Sequence, residues 1–144
     1  MTIKTFEELS TTELYQIINL RERVFVVEQK CYYLDADNND QKAWHLLLFE
    51  GKNLAAYLRI LPPNVTYEYP SIGRVVVDVK YRSLNLGRKI MEEAINFLKE
   101  KYPKQPIKIG AQVYLNKFYQ SLGFINNSEE YLEDGIPHVD MILI

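Results

Sequence analysis

The stretch Val75-Val76-Val77-Asp78-Val79-Lys80-Tyr81-Arg82-Ser83-Leu84-Asn85-Leu86-Gly87-Arg88-Lys89 decides the fold of this chain. Its first half continues a β-branched run from Ile72 to Val79. There Val75, Val77 and Val79 alternate with Arg74, Val76 and Asp78, the pattern of a central strand. Its second half opens a helical repeat of Leu86, Ile90, Met91, Ala94, Phe97 and Leu98, with Lys99 and Lys101 suited to the last turn and Pro103 beyond it. A buried strand therefore runs through a short polar turn into a strong helix. The first four amides of such a helix have no partners within it and carry the positive end of its dipole, so the turn is either a cradle for a pyrophosphate or the ordinary strand-to-helix connection common in α/β domains. Gly87 lets a ligand approach the backbone closely. A P-loop needs two glycines and a Lys-Ser/Thr pair, and a dinucleotide fingerprint needs three spaced glycines; this turn has neither.

Upstream, Leu14, Ile17, Ile18, Val24 and Phe25 recur at helical spacing between Ser10 and Glu28, and Ser10 with Glu13 matches a capping box, which predicts one or two helices. Arg21 falls on the same apolar stripe and is expected at the edge of the core, unless a partner satisfies it inside. Cys31 to Lys42, rich in Asp and Asn, is predicted as a solvated loop. Trp44–Phe49 and Leu54–Leu61 form a hairpin around Gly51, ended by Pro62 and Pro63. Downstream come a brief strand at Ile107–Ala111, a short helix at Val113–Leu122 closed by Gly123, and two strands around Asp134 and Gly135, the last being His138–Ile144. The predicted class is α/β (α+β), one domain over residues 1–144, with an antiparallel start and a strand-helix-strand crossover.

Composition bounds the function. A chain of 144 residues, 47% hydrophobic, should bury about 68 to 70% of its unfolded surface, so it needs no disulfide or structural metal. A net charge of -2, with Lys and Arg scattered among Asp and Glu, excludes the basic patch that nucleic acid requires. No apolar run approaches the roughly 20 residues that span a bilayer, and Met1 to Glu8 lacks the features of a signal peptide, so a cytoplasmic location without membrane association is expected. The single cysteine, Cys31, agrees with a reducing compartment. The spacing of His45, His138, Cys31 and the loop aspartates fits no zinc pattern. Asp35, Asp37 and Asp40 lack the glycine and glutamate of a calcium loop, and no metal is expected.

Arg82-x-x-Asn85-x-Gly87 after a valine strand resembles motif A of the GNAT superfamily of N-acetyltransferases, with Asn85 in place of a glycine. Asparagine tolerates the positive φ that such a position requires. Ala111-Gln112, Phe118-Tyr119 and Gly123-Phe124 resemble the family's motif B. Arg21, Val24 to Gln29, Asp37, His45, Gly73-Arg74-Val75 and Glu133 to His138 resemble its ElaA-like branch, except that Cys31-Tyr32-Tyr33 stands where that branch has Cys-Pro-Tyr.

The resemblance implies a GNAT-type mixed sheet of six to seven strands with helices on both faces. It also implies an acetyl-CoA site where two parallel strands splay apart, beyond Val79 and Ala111. The backbone of Val75 and Val77 would pair with the pantetheine arm. The amides of Arg82, Ser83, Leu84, Asn85, Leu86 and Gly87 would hold the pyrophosphate, with Arg88 or Lys89 near the outer phosphates. The implied reaction is attack of a neutral primary amine, on a small molecule or a peptide, upon the thioester. It calls for a base, oxyanion donors and an acid for the departing thiolate. Tyr119 is the expected acid, and Glu28, His45 and His138 are the candidates for the base. Glu133 and Asp134 either form an ordinary turn or attract a cationic amine. A non-catalytic acyl-CoA-binding module is the alternative, and a longer acyl donor differs only in pocket volume. The apolar final strand suits a free sheet edge, which would make a homodimer.

Overall fold

The computed structural model describes residues 1–144. One mixed sheet contains eight strands: β1 (Thr2–Thr5), β2 (Trp44–Glu50), β3 (Asn53–Leu61), β4 (Ser71–Val77), β5 (Ile107–Gln112), β6 (Ile125–Asn126), β7 (Tyr131–Glu133) and β8 (Ile136–Leu143). Their order is β1-β2-β3-β4-β5-β8-β6, with β7 also on β8. The count exceeds the expected six or seven because polar Thr2–Thr5 pairs with β2 and because the segment after Phe124 supplies two very short strands. Helices α1 (Thr11–Arg21), α2 (Leu86–Lys101) and α3 (Asn116–Ser121) complete the fold.

Both faces of the sheet are buried, and the alternation of side chains explains how. Leu46 and Leu48 of β2 pack with Ile90, Met91, Ala94 and Leu98 of α2, whereas Leu47 between them joins Ile17 and Leu20 of α1. The Ser10 hydroxyl accepts the Glu13 amide at 3.0 Å and Glu13 accepts the Ser10 amide at 2.8 Å, closing the capping box of α1. Glu22–Glu28 continues this helix with a wider, π-helical turn.

The acidic loop is not a solvated turn, and Arg21 is not at the edge. Arg21 is 1% exposed and pairs with Asp35 and Asp40, each at 2.7 Å. Arg59 pairs with Asp37 at 2.8 Å and Asp40 at 2.9 Å, and Arg74 with Asp35 at 2.9 Å. Three arginines from α1, β3 and β4 thus neutralise three aspartates and clamp the loop to the sheet, because buried charges persist only when paired. The terminal strand is not a free edge either. β8 lies between β5 on one side and β6 and β7 on the other, so Val139, Met141 and Leu143 belong to the core and the basis for pairing with a second copy disappears.

β4 ends at Val77, earlier than expected, because the Asp78 carboxylate accepts the Lys80 amide at 3.0 Å and starts a 3₁₀ turn over Val79–Leu84. Asn85 follows with φ 58° and ψ 32°, the left-handed conformation expected of this motif A position, and stands immediately before α2 without a side-chain hydrogen bond to its first amides.

Candidate functional site

β4 and β5 run parallel but share a single register point, Ser71 with Lys108, reinforced by the Lys108 amide donating to the Pro70 carbonyl at 3.0 Å. Beyond that point they diverge. A β-bulge on β4 accompanies the divergence. Tyr57 opposes Val76 and Arg59 opposes Gly73, so three steps on β4 match two on β3, and Arg74 takes up the extra residue with φ 50°. After the bulge, Val75 and Val77 pack toward the α2 face and Val76 toward the α1 face. The Asp78 amide donates to Ala55 of β3, so by alternation the backbone groups of Val77 turn toward the gap, where the carbonyl accepts Arg82 Nε at 3.1 Å.

The gap opens into a cleft of about 770 Å³. At one end Arg82, Asn85, Leu86, Gly87 and Arg88 line it beside Val75 and Val77, whereas Ser83 and Leu84 lie in the 3₁₀ turn outside it. A Cβ on Gly87 would meet only Phe118 Cζ at 3.8 Å and Val77 Cγ2 at 3.9 Å, so the helix start is open. Arg88 is held by the Ser121 hydroxyl and lies 5.8 Å from the Phe118 ring centroid.

Tyr119, on α3, lines the cleft with its ring edge-on to Phe118 and Phe124. Burial, and secondly the neighbouring Tyr114 hydroxyl, pushes its phenol up to about 12, so it stays protonated through the neutral range.

The three base candidates separate. His45 is fully buried in β2 outside the cleft. Its Nε2 donates to the Asp40 carbonyl at 2.9 Å and its Nδ1 therefore accepts the Tyr57 hydroxyl at 2.6 Å, leaving no nitrogen for chemistry. Burial lowers its pKa and keeps the ring neutral. His45 is a core residue, which corrects its candidacy. Glu28 stands in the cleft but is paired with Arg82 at 2.7 and 2.9 Å, and the hydrogen bond from that guanidinium lowers its pKa. His138 lines the cleft. Its Nδ1 donates to the Ile136 carbonyl at 2.7 Å, which leaves Nε2 to face the Glu133 carboxylate at 3.4 Å.

Gln112 and His138 share this wall with residues outside the recognised motif positions, Tyr67, Tyr131 and Asp140. On the α1 face of β5 and β8, Gln112 is the register partner of His138, and Gly110 that of Asp140. The Gln112 carbonyl oxygen is buried without a partner. Tyr67 and Tyr131 donate to the same Asp140 oxygen at 3.0 and 2.6 Å. The i, i+2 spacing of Gly110 and Gln112 was readable from sequence, but the loop that brings in Tyr67 was not.

A family model described as an acetyltransferase (GNAT) domain matches residues 8–144. The protein ElaA of Escherichia coli is 42% identical over 136 residues, 93% of this chain and 89% of that protein, and its crystal structure superposes with a TM-score of 0.93 over 99% of this chain and 97% of the other. A UPF0039 protein of Schizosaccharomyces pombe is 43% identical over 142 residues, 97% of this chain and 93% of its own length. The crystal structure of an acyl-CoA N-acyltransferase from Pseudomonas aeruginosa, 37% identical, gives a TM-score of 0.92 over 99% of this chain and 98% of the other. A strand pair that splays beyond one register point, a helix that starts at its mouth and a sequence matched from residue 8 to the last residue converge: the chain belongs to the GNAT acetyltransferase family, in its ElaA-like branch.

Proposed function

We propose that this protein transfers the acetyl group of acetyl-CoA to a primary amine in the cytoplasm. The single register point between β4 and β5 carries this reading, because it leaves strand groups unpaired at the gap that an extended substrate with amide groups would satisfy as an added strand. No helix is long and apolar enough to cross a membrane.

The thioester supplies an activated acyl carbon. Val75 and Val77 offer backbone groups to the pantetheine amides, and the amides from Asn85 to Gly87, at the positive end of α2, hold the pyrophosphate, with Arg88 beside them. His138 Nε2 takes the proton from the attacking amine, and Glu133, at 3.4 Å, stabilises the imidazolium. As the new N–C bond forms and the C–S bond breaks, the Tyr119 phenol donates its proton to the departing sulfur.

Calorimetric titration with acetyl-CoA, followed by thiol release with a panel of amines, tests this. Saturable one-to-one binding with amine-dependent thiol release is expected. Saturable binding without release for any amine would leave an acyl-CoA-binding module, and no binding would overturn the proposal.

A further inference from the structure

The acyl-transfer reading leaves the acceptor open, and the α1 face of the β5–β8 ladder bears on it. Two cross-strand pairs stand there two residues apart, Gln112 with His138 and Gly110 with Asp140. They lie about 7 Å apart along the strand. The oxygens they present lack donors. Tyr67 and Tyr131 have each committed their only hydrogen to Asp140, so what their hydroxyls can still offer is acceptor lone pairs. A Cβ on Gly110 would sit 3.0 Å from one hydroxyl and 3.2 Å from the other, so the absence of a side chain is what lets both oxygens converge on the strand. The Gln112 oxygen is likewise without a donor.

The carboxylates of this wall are Asp140 and Glu133, and its cation is Lys108. Arg21, Arg59 and Arg74 are offset by Asp35, Asp37 and Asp40. Asp140 has Lys108 at 3.9 Å, whose ammonium also lies 4.9 Å from the Tyr67 ring centroid and which a distal ammonium would have to displace, and Glu133 has His138 at 3.4 Å. Burial and the Asp140 carboxylate raise the pKa of both tyrosines, so both phenols keep their protons. Such a wall seeks N–H groups at two stations and repels a carboxylate.

Resting on the acyl-transfer reading, we infer that the acceptor is a short linear diamine or the diamine end of a longer polyamine. Its reacting amine is received by Gln112 and His138, and its distal ammonium by the Tyr67–Asp140–Tyr131 cluster over Gly110. An extended four-carbon diamine spans a length similar to the separation of the two stations.

The test compares 1,4-diaminobutane with butylamine, which lacks the distal cation, and with 4-aminobutyrate, which replaces it by an anion. Each is titrated calorimetrically into the wild-type protein with and without bound CoA. The diamine is expected to bind at least tenfold more tightly than either analogue. Asp140→Asn should remove that preference while leaving butylamine and CoA affinities unchanged, and Tyr67→Phe, which keeps the ring, should reduce it in the same sense. Equal or reversed preference, absence of diamine binding, or a preference that survives both substitutions would overturn the subsite. A protein that does not bind CoA yet retains the diamine preference would strike down acyl transfer and uphold the subsite.

Discussion

Arg82 grips the Glu28 carboxylate at two points while its Nε donates to the Val77 carbonyl, so one guanidinium ties the end of the first helical segment to the open edge of β4. On the proposed acyl-CoA reading it occupies a strand group that the pantetheine arm would use and neutralises a carboxylate that would otherwise face the phosphates. Both side chains are about two-fifths exposed, at 40% and 44%, so the pair is a weak and solvent-screened one.

Glu28→Gln should therefore tighten CoA binding, by up to about fivefold, since an exposed pair contributes at most about 1 kcal/mol and releasing it frees Arg82 for the pyrophosphate. Calorimetry at low salt reads this directly. Weaker binding would mean that the pair organises the cradle rather than competing with it.

Tyr119→Phe should slow acetyl transfer by about 10²-fold, the loss expected for a positioned acid, with CoA affinity nearly unchanged. The ring contacts with Phe118 and Phe124 are kept, so a change in thermal stability would be small. Equal rates for the two proteins would remove the assigned role.

Gly87→Ala should fold normally, because a Cβ there meets nothing closer than 3.8 Å, whereas Gly87→Glu sends a negative side chain toward the start of α2 and should abolish CoA binding. Retained affinity in the glutamate variant would move the phosphate site elsewhere.

Arg21→Ala should destabilise the fold by about 3–5 kcal/mol, the usual effect of removing one partner of a buried ion pair, because Asp35 would be left buried with less compensation. The denaturant midpoint measures it. A loss below about 1 kcal/mol would show the loop to be held without this network.

Stability should fall at both ends of the pH scale. Burial works against the charge on Asp37 and Asp40, but hydrogen bonds and charge from Arg59 and Arg21 hold both carboxyls below their ordinary value of 3.8. Unfolding at low pH therefore takes up protons, so their contribution is complete above about pH 4 and is lost as pH falls below it. Burial pushes Tyr33 and Tyr119 up to about 12, against an ordinary value of 10.0. Unfolding then releases protons, and stability declines as pH rises from about 10 toward 12. Denaturant midpoints between pH 2.5 and 11 should trace a plateau with two falling limbs; a flat acid limb would mean the aspartates are not ionically held.

Helix α2 and the β2–β3 hairpin are legible in the sequence because each follows from neighbours in the chain: an apolar stripe ended by Pro103, and two apolar runs around Gly51. The end of the cleft proposed for the acyl donor comes from one continuous stretch, Val75 to Arg88, so its placement beside the start of α2 is legible for the same reason. The other end is not. His45 looks like a base until Tyr57 and the Asp40 carbonyl are found on its two nitrogens, a matter of cross-strand register. The aspartates of 35–40 look solvated because their arginine partners come from α1, β3 and β4, 14 or more residues away. Tyr67 meets Asp140 across 73 residues, a separation no local pattern encodes.

The lone register point between Ser71 and Lys108 also divides the sheet into two antiparallel blocks. Strands β1 to β4 form an antiparallel meander from residues 2–77, and β5 to β8 a second antiparallel unit from residues 107–143, with α2 as the chain's only bridge between them. The core that α2 covers joins the two blocks, so a difference in their local opening would arise at the seam. Their seam is the proposed ligand gap, so a bound acyl donor would act as the missing rungs of the ladder and make two cooperative blocks protect their amides from exchange as one.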